Sequence, residues 1–459
     1  MLLKKFVAKN VHGFLDFNIT FDKKITFITS QNGGGKTTLV NAIVALISPN
    51  LDVLANIEFD HMALTLTHEN KTYVVNAERD QSQLVLSTTE SDTKFNVPLF
   101  TPDTDEPTFK QAELERDHYR EFQASNAGNE VLKVIAKLPV PMFLDIDRRS
   151  RANIERQRPA YFPNRFRAKA RNVFSAFLSQ SLNEAALLVE ERYRQFLIVD
   201  RTNAEKLRQD LVLSLFNLEE NREDFEIHLP NNSDKQLIES MRELQRTLPE
   251  LLSIDAVLIK SKIAPYLAKV EKLVKKIPET LSLDDMKRNE TRFQKHFPNI
   301  MNWMAYLPTL HRFSKTIELV QAYSLQRDDA RRSFDRFVAL ANKFLLSGSK
   351  QLEIDKQGSI VFRIIGRDEA RPITTLSSGE AQIFVILSHL FFNPSAQRAN
   401  VFIVDEPELS LHVTWQEMFV DSIQDANPQV QYILATHSPS IILDKVGNCR
   451  STFSARRKS

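Results

Sequence analysis

Apolar and polar positions alternate near the start of the chain and give way to apolar runs near its end. Residues 6–11 and 15–21 alternate with period two on either side of a short turn, which predicts a β-hairpin. Residues 25–29 predict a third strand. Residues 401–404 and 431–435 are short apolar runs of the kind that form buried parallel strands. Both ends of the chain are therefore predicted to be α/β.

The middle of the chain has the pattern of helices. The chain has 10 glycines, and none lies between Gly128 and Gly348, a stretch rich in good helix formers. Prolines divide this stretch. We predict a long helix over about 167–226, several shorter helices, and a returning helix over about 309–346. The simplest organisation is one α/β head interrupted by a helical arm, with boundaries at 1–147, 148–346 and 347–459.

Composition mainly excludes classes of protein. With 459 residues, 42% of them hydrophobic, the chain can form two or three ordinary domains and is not a disordered chain. The 60 basic and 58 acidic residues exclude an overall basic coat for nucleic acid. The single cysteine, Cys449, excludes a disulfide framework and a thiolate zinc site. Because no apolar run is long enough for a membrane span and no signal peptide is evident, we expect a cytoplasmic protein without a membrane partner.

A glycine-rich segment follows the third predicted strand and precedes an apolar helix. This phosphate loop, residues 30–38, reads Ser-Gln-Asn-Gly-Gly-Gly-Lys-Thr-Thr. Its backbone N–H groups can surround phosphate oxygens, and the following helix directs its positive end at them. Lys36 would reach the β- and γ-phosphates, and the Thr37 hydroxyl would ligate Mg²⁺. The general pattern has glycine where this chain has Ser30. The predicted nucleotide-binding residues are Asn32, Gly33, Gly34, Gly35, Lys36, Thr37 and Thr38.

Two carboxylates end the apolar run at 401–404. Such a position places Asp405 and Glu406 at the carboxyl edge of a sheet, where the ligand sites of α/β proteins lie. Asp405 can hold Mg²⁺ through water. Glu406 can orient or deprotonate an attacking water molecule. His437 ends the next predicted strand and can contact the γ-phosphate. We therefore predict Lys36, Glu406 and His437 as catalytic residues, and Thr37 and Asp405 as metal ligands.

A further anion site is predicted at 376–380. This signature segment, Leu-Ser-Ser-Gly-Glu, precedes an apolar helix and offers the Ser377 hydroxyl, the Gly379 N–H and a helix N-terminus. It resembles the signature motif of ABC-type ATPases, usually LSGGQ, with Ser378 for glycine and Glu380 for glutamine. Residues 404–408 resemble the Walker B motif of the same proteins. Residues 409–412 resemble their D-loop, and His437 their switch histidine.

The resemblance covers about residues 1–50 and 370–445. It implies an α/β, ABC-type P-loop ATPase head formed by both chain ends, with ATP and Mg²⁺ as ligands and a long, coiled-coil-like helical insertion. Ser377 and Gly379 of one chain would complete the nucleotide site of another, since each chain carries one phosphate loop and one signature segment. The resemblance thus implies a dimer or a larger even-numbered oligomer. The arm would carry the motion of the heads, provide a second assembly contact, or act as a passive spacer.

The layout favours one group of ABC-type ATPases. Lys36 and Ser377 are much farther apart than in transporters, the single cysteine excludes the zinc hook of one DNA-repair family, and SMC proteins are much longer. What remains resembles RecF-like ATPases of the overcoming-lysogenization and AAA15/AAA21 group, many of which act in phage defence. Size and layout resemble the ATPase subunits of PARIS and Septu systems, with PARIS slightly favoured. These subunits work with separate nucleases.

Few residues follow His437, and they hold no acidic cluster that could bind catalytic metals. We therefore expect no nuclease in this chain and a separate effector protein, a nuclease, as its partner. The leading hypothesis is an ATPase that senses infection and controls that effector. One alternative is a RecF- or SMC-like DNA-repair ATPase. Another is an assembly scaffold that binds ATP as a structural ligand with little turnover.

A basic patch occupies residues 148–171, where nine basic side chains face a single acid, Glu155. The patch could bind a nucleic-acid backbone and stack on bases. It could equally bind an acidic protein, including a phage protein that triggers the response. It could also be a solvated face or form ion pairs between subunits. The patch follows a strand-like run, where ABC-type ATPases place the Q-loop, and Gln157 is the candidate for the Q-loop residue.

Overall fold

Two compact units make up the chain. The computed structural model describes residues 1–31, 33–101, 108–144, 173–214, 227–252, 255–284, 288, 291–355, 357–367 and 369–452. Contacts within the chain divide it into a first unit, Met1–Arg192 with Phe334–Ser459, and a second unit, Tyr193–Ser333. Both chain ends belong to the first unit, which we call the head. No helix among the described residues is both long and apolar enough to cross a membrane.

The described elements are fourteen strands and twelve longer helices. The strands are β1 (Leu2–Val11), β2 (Leu15–Thr20), β3 (Ile25–Thr29), β4 (His61–His68), β5 (Lys71–Arg79), β6 (Gln83–Thr88), β7 (Ser91–Pro98), β8 (Met142–Leu144), β9 (Lys350–Ile354), β10 (Ile360–Ile364), β11 (Ala370–Arg371), β12 (Val401–Asp405), β13 (Gln431–Ala435) and β14 (Cys449–Ser451). The helices are α1 (Lys36–Ile47), α2 (Leu51–Asn56), α3 (Thr108–Ser125), α4 (Glu130–Lys137), α5 (Val173–Ser214), α6 (Asn232–Leu252), α7 (Ala256–Lys276), α8 (Thr291–Leu345), α9 (Ser378–Phe392), α10 (Pro394–Ala399), α11 (Val413–Ala426) and α12 (Pro439–Ile442).

A six-stranded antiparallel sheet forms one layer of the head, in the order β2-β1-β4-β5-β6-β7. The predicted hairpin is confirmed, since β1 pairs antiparallel with β2. Alternating side chains of β1 and β4, such as Phe6 and Leu64, are fully buried. This is the pattern of an antiparallel sheet with one face on a core. The strands β4 to β7 were not predicted from the sequence.

A five-stranded sheet, β14-β3-β13-β12-β8, forms the second layer. Its described pairings are all parallel. The predicted strands at 25–29, 401–404 and 431–435 are confirmed as β3, β12 and β13. Every residue of β12 and β13 is buried, which explains why both read as unbroken runs.

Helix α1 joins the two layers through a shared apolar core. Its residues Leu39, Val40 and Ile43 are fully buried in a cluster that also contains side chains of β1, β4 and β12. Gln431 adds a polar connection, because its amide exchanges two hydrogen bonds with the backbone of Leu3, at 2.8 and 2.9 Å. The first and last parts of the sequence therefore share one core.

The second unit is helical and has an apolar cluster of its own. Met241, Val270, Ile300, Trp303 and Leu310 are fully buried there. The prediction that proline ends each helix in this region is wrong at four positions. Pro249 lies inside α6, Pro265 inside α7, and Pro298 and Pro308 inside α8.

The returning helix is therefore longer than predicted at its start. A proline in a helix removes one hydrogen bond and costs about 3 kcal/mol. Burial of an apolar side chain contributes about 1.5–3 kcal/mol. Because Ile300, Trp303 and Leu310 are buried around Pro298 and Pro308, packing offsets the cost of both prolines.

The arm boundaries at 148 and 346 remain predictions. The contact units divide instead near 192 and 334, so that Phe337 and Phe344 of α8 pack with rings of the head. Of the long helix predicted over 167–226, the described part is α5, Val173–Ser214. The basic patch at 148–171 and Gln157 lie outside the described residues.

Candidate functional site

The carboxyl ends of three neighbouring parallel strands meet at one edge of the five-stranded sheet. Asp405 at the end of β12 is in register with Ala435 at the end of β13, and Ala435 is in register with Ile28 of β3. The phosphate loop follows β3, and Thr436 and His437 follow β13. The topology therefore brings together segments from both ends of the sequence.

The phosphate loop has the backbone shape of an anion-binding turn. Gly33 and Gly35 have φ angles of +80° and +78°, a conformation that favours glycine. A Cβ on Gly34 would lie 2.5 Å from the Ser30 hydroxyl, and one on Gly35 would lie 2.8 Å from Leu15. Residues 33–35 are therefore glycine because of backbone conformation and of close packing. Asn32 lies outside the described residues.

Lys36 is the first residue of α1, and its side chain folds back over the loop. Its Nζ lies 3.4 Å from the Ser30 carbonyl oxygen and 3.5 Å from the Ser30 hydroxyl. Lys36 is 94% buried, since its relative exposure is 6%. These long contacts hold the ammonium group at the mouth of the loop, where an incoming phosphate would offer stronger charge-assisted bonds.

Thr37 and Asp405 are in direct contact. The Thr37 hydroxyl donates a 2.7 Å hydrogen bond to Asp405 Oδ2, across 368 positions of sequence. Asp405 is fully buried. A hydroxyl and a carboxylate are hard oxygen ligands, and Mg²⁺ in proteins is commonly held by one or two such ligands together with phosphate oxygens and water. The pair therefore fits Mg²⁺. Among the described residues no group of three His, Cys, Asp or Glu side chains forms a metal site by itself.

Glu406 follows Asp405 with a left-handed backbone. Its φ angle is +48°, which is uncommon for a residue other than glycine. Its N–H donates a 2.8 Å hydrogen bond to the Ala435 carbonyl, which extends the pairing of β12 with β13 by one residue. The chain then turns, and Leu409 N–H donates a 3.2 Å hydrogen bond back to the Glu406 carbonyl oxygen.

Glu408 connects the turn after β12 to the turn after β13. Its carboxylate accepts a 2.8 Å hydrogen bond from the Thr436 hydroxyl and a 2.9 Å hydrogen bond from the His437 N–H. The same carboxylate lies 3.0 Å from His437 Nδ1. Glu408 is nearly buried, whereas the His437 side chain is 49% exposed. Sequence reasoning gave Glu408 no role. The sequence does mark Glu408 as a third acidic residue after β12, two positions beyond Glu406.

Ser377 begins the helix that follows the signature segment. It is the N-cap of α9, and its hydroxyl accepts from the Glu380 N–H while the Glu380 carboxylate accepts from the Ser377 N–H at 2.7 Å. This reciprocal pair is a capping box. Lys350 Nζ donates to the same carboxylate at 2.7 Å. Burial alone would raise the pKa of Glu380, but the hydrogen bonds from Lys350 and Ser377 outweigh it and lower that pKa.

Gly379 connects the signature segment to residues 409–412. A Cβ on Gly379 would lie 2.6 Å from the Ser410 carbonyl oxygen, so only glycine fits without a shift of backbone. One turn further along α9, Gln382 is buried and donates a 2.7 Å hydrogen bond to the Pro407 carbonyl. The signature helix is therefore packed directly on the segment that carries Glu406 and Glu408. Sequence reasoning missed Gln382 and Lys350.

The phosphate loop, the Thr37–Asp405 pair and the turns after β12 and β13 thus lie at one edge of the sheet. A model of the AAA ATPase domain (AAA_15) matches residues 1–442. The chain belongs to this AAA_15 family. Membership supports an ATPase function and implies nucleotide binding.

Individual relatives match less of the sequence or match it more weakly. The "Retron Vc95 probable ATPase" of Vibrio cholerae serotype O1 biovar El Tor is 28% identical over 109 residues, which are 22% of this chain and 21% of that protein. The match thus spans about a fifth of the relative's length. Among solved structures, the Smc head domain of Pyrococcus furiosus, with an extended coiled coil and bound to the C-terminal domain of ScpA, is 12% identical. It matches 98% of this chain and 93% of its own, with a TM-score of 0.40. The SMC head domain of Thermotoga maritima is 12% identical, matches 96% and 91%, and has a TM-score of 0.39.

Proposed function

We propose that this AAA_15 protein binds MgATP at the phosphate loop and hydrolyses it in a site that a second copy completes. The observation that carries the proposal is the 2.7 Å contact between Thr37 and Asp405, beside the nearly buried Lys36. In this proposal the Lys36 ammonium group and the hard oxygen ligands of Thr37 and Asp405 act on one nucleotide. This is the set of groups that phosphoryl transfer from ATP requires.

Each residue has a role in this proposal. The N–H groups of the loop and Lys36 bind the β- and γ-phosphates, and Thr37 and Asp405 hold Mg²⁺, which supplies charge neutralisation when bound. Glu406 accepts a hydrogen bond from the attacking water and orients it toward the γ-phosphate. His437 contacts the γ-phosphate. Glu408 is a positioning residue, because it holds the His437 backbone and ring at 2.9 and 3.0 Å.

The second copy contributes its signature segment. Each chain has one phosphate loop and one signature segment, and the resemblance to ABC-type ATPases implies that the two meet between chains. Ser377 and the Gly379 N–H of the partner would then lie on the γ-phosphate. In this chain Gly379 packs on Ser410 and Gln382 bonds to Pro407, which supports coupling between the signature segment and the chain's own catalytic residues. Nucleotide state and assembly are linked in this way.

The biological role follows from resemblance. We infer that the ATP-dependent assembly senses infection and controls a separate effector, a nuclease, in phage defence of the PARIS or Septu type. The match to a probable ATPase of a retron supports the ATPase part of this inference, over the part of the chain that it spans. The two alternatives, a DNA-repair ATPase and a scaffold with little turnover, predict different results in the purification and ATPase assay described next.

The test is purification of tagged full-length chain from cells that express its native operon, with MgATP present, followed by mass measurement and an ATPase assay. Lys36→Ala is expected to weaken ATP binding about a hundredfold. Lys94→Ala, an exposed lysine of β7, is the matched control. A co-purified nuclease-like protein in fixed ratio and measurable turnover support the proposal. A complex with DNA alone favours repair, and an ATP-bound assembly without turnover favours the scaffold. Unchanged ATP binding by Lys36→Ala contradicts the phosphate-loop assignment.

A further inference from the structure

Two cavities flank the phosphate loop, and their linings give the nucleotide a direction. A cavity of about 1130 Å³ is lined by Ser30, Gln31 and His437, among others. A cavity of about 220 Å³ touches the loop through Thr38. The proposed function puts His437 on the γ-phosphate, which assigns the first cavity to the γ-phosphate side. The second cavity, next to Thr38, is then assigned to the nucleoside end of the ligand.

Five of the seven residues that line the smaller cavity are polar, and they come from three elements of the head. It is lined by His12 from the turn between β1 and β2, by Thr38 and Asn41 of α1, and by Asp52, Val53, Asn56 and Ile57 at α2. His12 has a left-handed backbone, with φ +51°, and its N–H donates a 2.8 Å hydrogen bond to the Glu58 carbonyl. Its exposed ring therefore has a defined backbone support beside the cavity.

Asn56 lines this cavity, and its donor group is already used. Asn56 Nδ2 donates a 2.7 Å hydrogen bond to the Asp52 backbone carbonyl, which cannot donate and therefore fixes the orientation of the amide. The Glu115 carboxylate also accepts a hydrogen bond from Asn56. The remaining group of the Asn56 side chain is the Oδ1 oxygen, which can only accept.

Asp52 adds a second acceptor beside it. An ionised carboxylate accepts hydrogen bonds and donates none. Arg116 faces Asp52, and its Nε lies 3.9 Å from Oδ2, too far for a hydrogen bond. The Asp52 side chain is 25% exposed, so a ligand can reach it. Two acceptors at one wall of a cavity match a ligand edge that carries N–H donors.

We propose that Asp52 and Asn56 recognise the exocyclic amine of adenine and give the site its preference for ATP. This inference rests on the proposed function, since it names the residues that bind the base of the same nucleotide. The amine of adenine has two N–H groups, one for each acceptor. Guanine and hypoxanthine have a carbonyl oxygen at the equivalent ring position, which both acceptors would repel. A purine without the exocyclic amine offers no N–H donor to the acceptors of Asp52 and Asn56.

Equilibrium binding of diphosphates to the full-length chain tests the proposal without hydrolysis. The probes are ADP, IDP and purine riboside 5′-diphosphate, which is ADP without the amine, with Mg²⁺ present. We expect ADP to bind about tenfold more tightly than either analogue, the effect of one to two hydrogen bonds. The double variant Asp52→Ala/Asn56→Ala should bind all three equally, near the affinity of the wild type for the analogue without the amine.

Three controls keep the outcomes distinct. Asp92→Ala, an exposed acid on β7, should keep the tenfold preference, and thermal melting should show that each variant is folded. Wild-type affinities for the three probes within twofold of one another overturn the inference but leave the proposed function intact, and this comparison needs no variant. Tighter binding of IDP than ADP also overturns it. Failure of every nucleotide to bind overturns the proposed function together with the inference.

Discussion

Glu408 lies 3.0 Å from His437 Nδ1 and accepts the backbone N–H of the same residue at 2.9 Å. Because a carboxylate only accepts, this contact favours the ring form with the proton on Nδ1. Nε2 is then the nitrogen left for a ligand, on a side chain that is half exposed. The position and the chemical form of the predicted switch histidine thus depend on a carboxylate that the sequence analysis gave no role.

Glu408→Ala should lower ATP turnover about 10- to 100-fold while ATP binding changes little, because His437 loses its support but the phosphate loop does not. The measurement is kcat and the ATP affinity of purified protein. Glu408→Gln, which keeps one acceptor oxygen, should recover part of the rate. Glu417→Ala, an exposed acid on α11, is the control and should be silent. Wild-type kcat in Glu408→Ala would mean that His437 does not act in turnover.

Glu406→Gln should bind ATP normally and hydrolyse it at least about a hundredfold more slowly, since the amide cannot accept a proton from water. The ATP-bound assembly should accumulate as a result. Light scattering with ATP and a phosphate-release assay measure both effects. If this variant turns over at the wild-type rate, another group orients the water. Glu417→Gln provides the matched control.

Ser377→Arg should abolish turnover and spare ATP binding, because the arginine would occupy the partner's γ-phosphate position. The substitution also removes an N-cap, which costs about 1 kcal/mol. Ser377→Asp separates the two effects, since aspartate keeps the cap but places a negative charge against the phosphate. It should melt like the wild type and still be inactive. An active monomer carrying Ser377→Arg would exclude a shared site.

Gly379→Ala should destabilise the head by about 1–3 kcal/mol, because the new methyl would lie 2.6 Å from the Ser410 carbonyl oxygen. Denaturant unfolding gives the free energy, and phosphate release shows whether turnover is affected as well. Gly128→Ala is the matched control, since a Cβ there meets nothing within 4 Å. The prediction fails if both variants unfold at the same denaturant concentration.

Stability should fall on acidification partly through His389. Burial lowers the pKa of this histidine to about 4 from an ordinary 6.5, so the fold holds it neutral. The unfolded chain takes up a proton below pH 6.5 and the folded chain does not. The contribution of His389 to the free energy of unfolding is therefore intact above pH 6.5. It declines between pH 6.5 and pH 4 by an amount on the order of 1–3 kcal/mol. His389→Leu should flatten the curve of unfolding free energy over that range. An unchanged curve would show that folding does not lower the pKa of His389.

The elements that could be predicted from the sequence are those that contain a recognisable motif or a simple hydrophobic periodicity. The β1–β2 hairpin and strands β3, β12 and β13 carry a two-residue alternation or an unbroken apolar run, and Lys36, Thr37 and Asp405 stand in recognisable spacing. The strands β4 to β7 were missed because their alternation lies between polar turns without a motif. Pro298 and Pro308 misled the prediction of α8, since local proline cost was weighed without the buried Trp303 that offsets it.

The contacts that support the site could not be read from the sequence. Glu408 accepts a hydrogen bond from Thr436, 28 residues away. Gln382 donates to Pro407, 25 residues away, and Lys350 donates to Glu380, 30 residues away. Nothing in the local pattern distinguishes these side chains from solvated ones. Their partners become apparent only once β12, β13 and α9 are placed side by side.

The order of strands has a consequence for synthesis on the ribosome. β3 pairs only with β13 and β14 among the described strands, and β8 pairs with β12. Both therefore emerge long before their neighbours exist, whereas β1, β2 and β4 to β7 can pair with one another at once. A nascent chain that has not passed residue 431 carries a glycine-rich loop on a strand with both edges open. We expect fragments ending within the arm to need a chaperone to keep β3 from pairing with other chains.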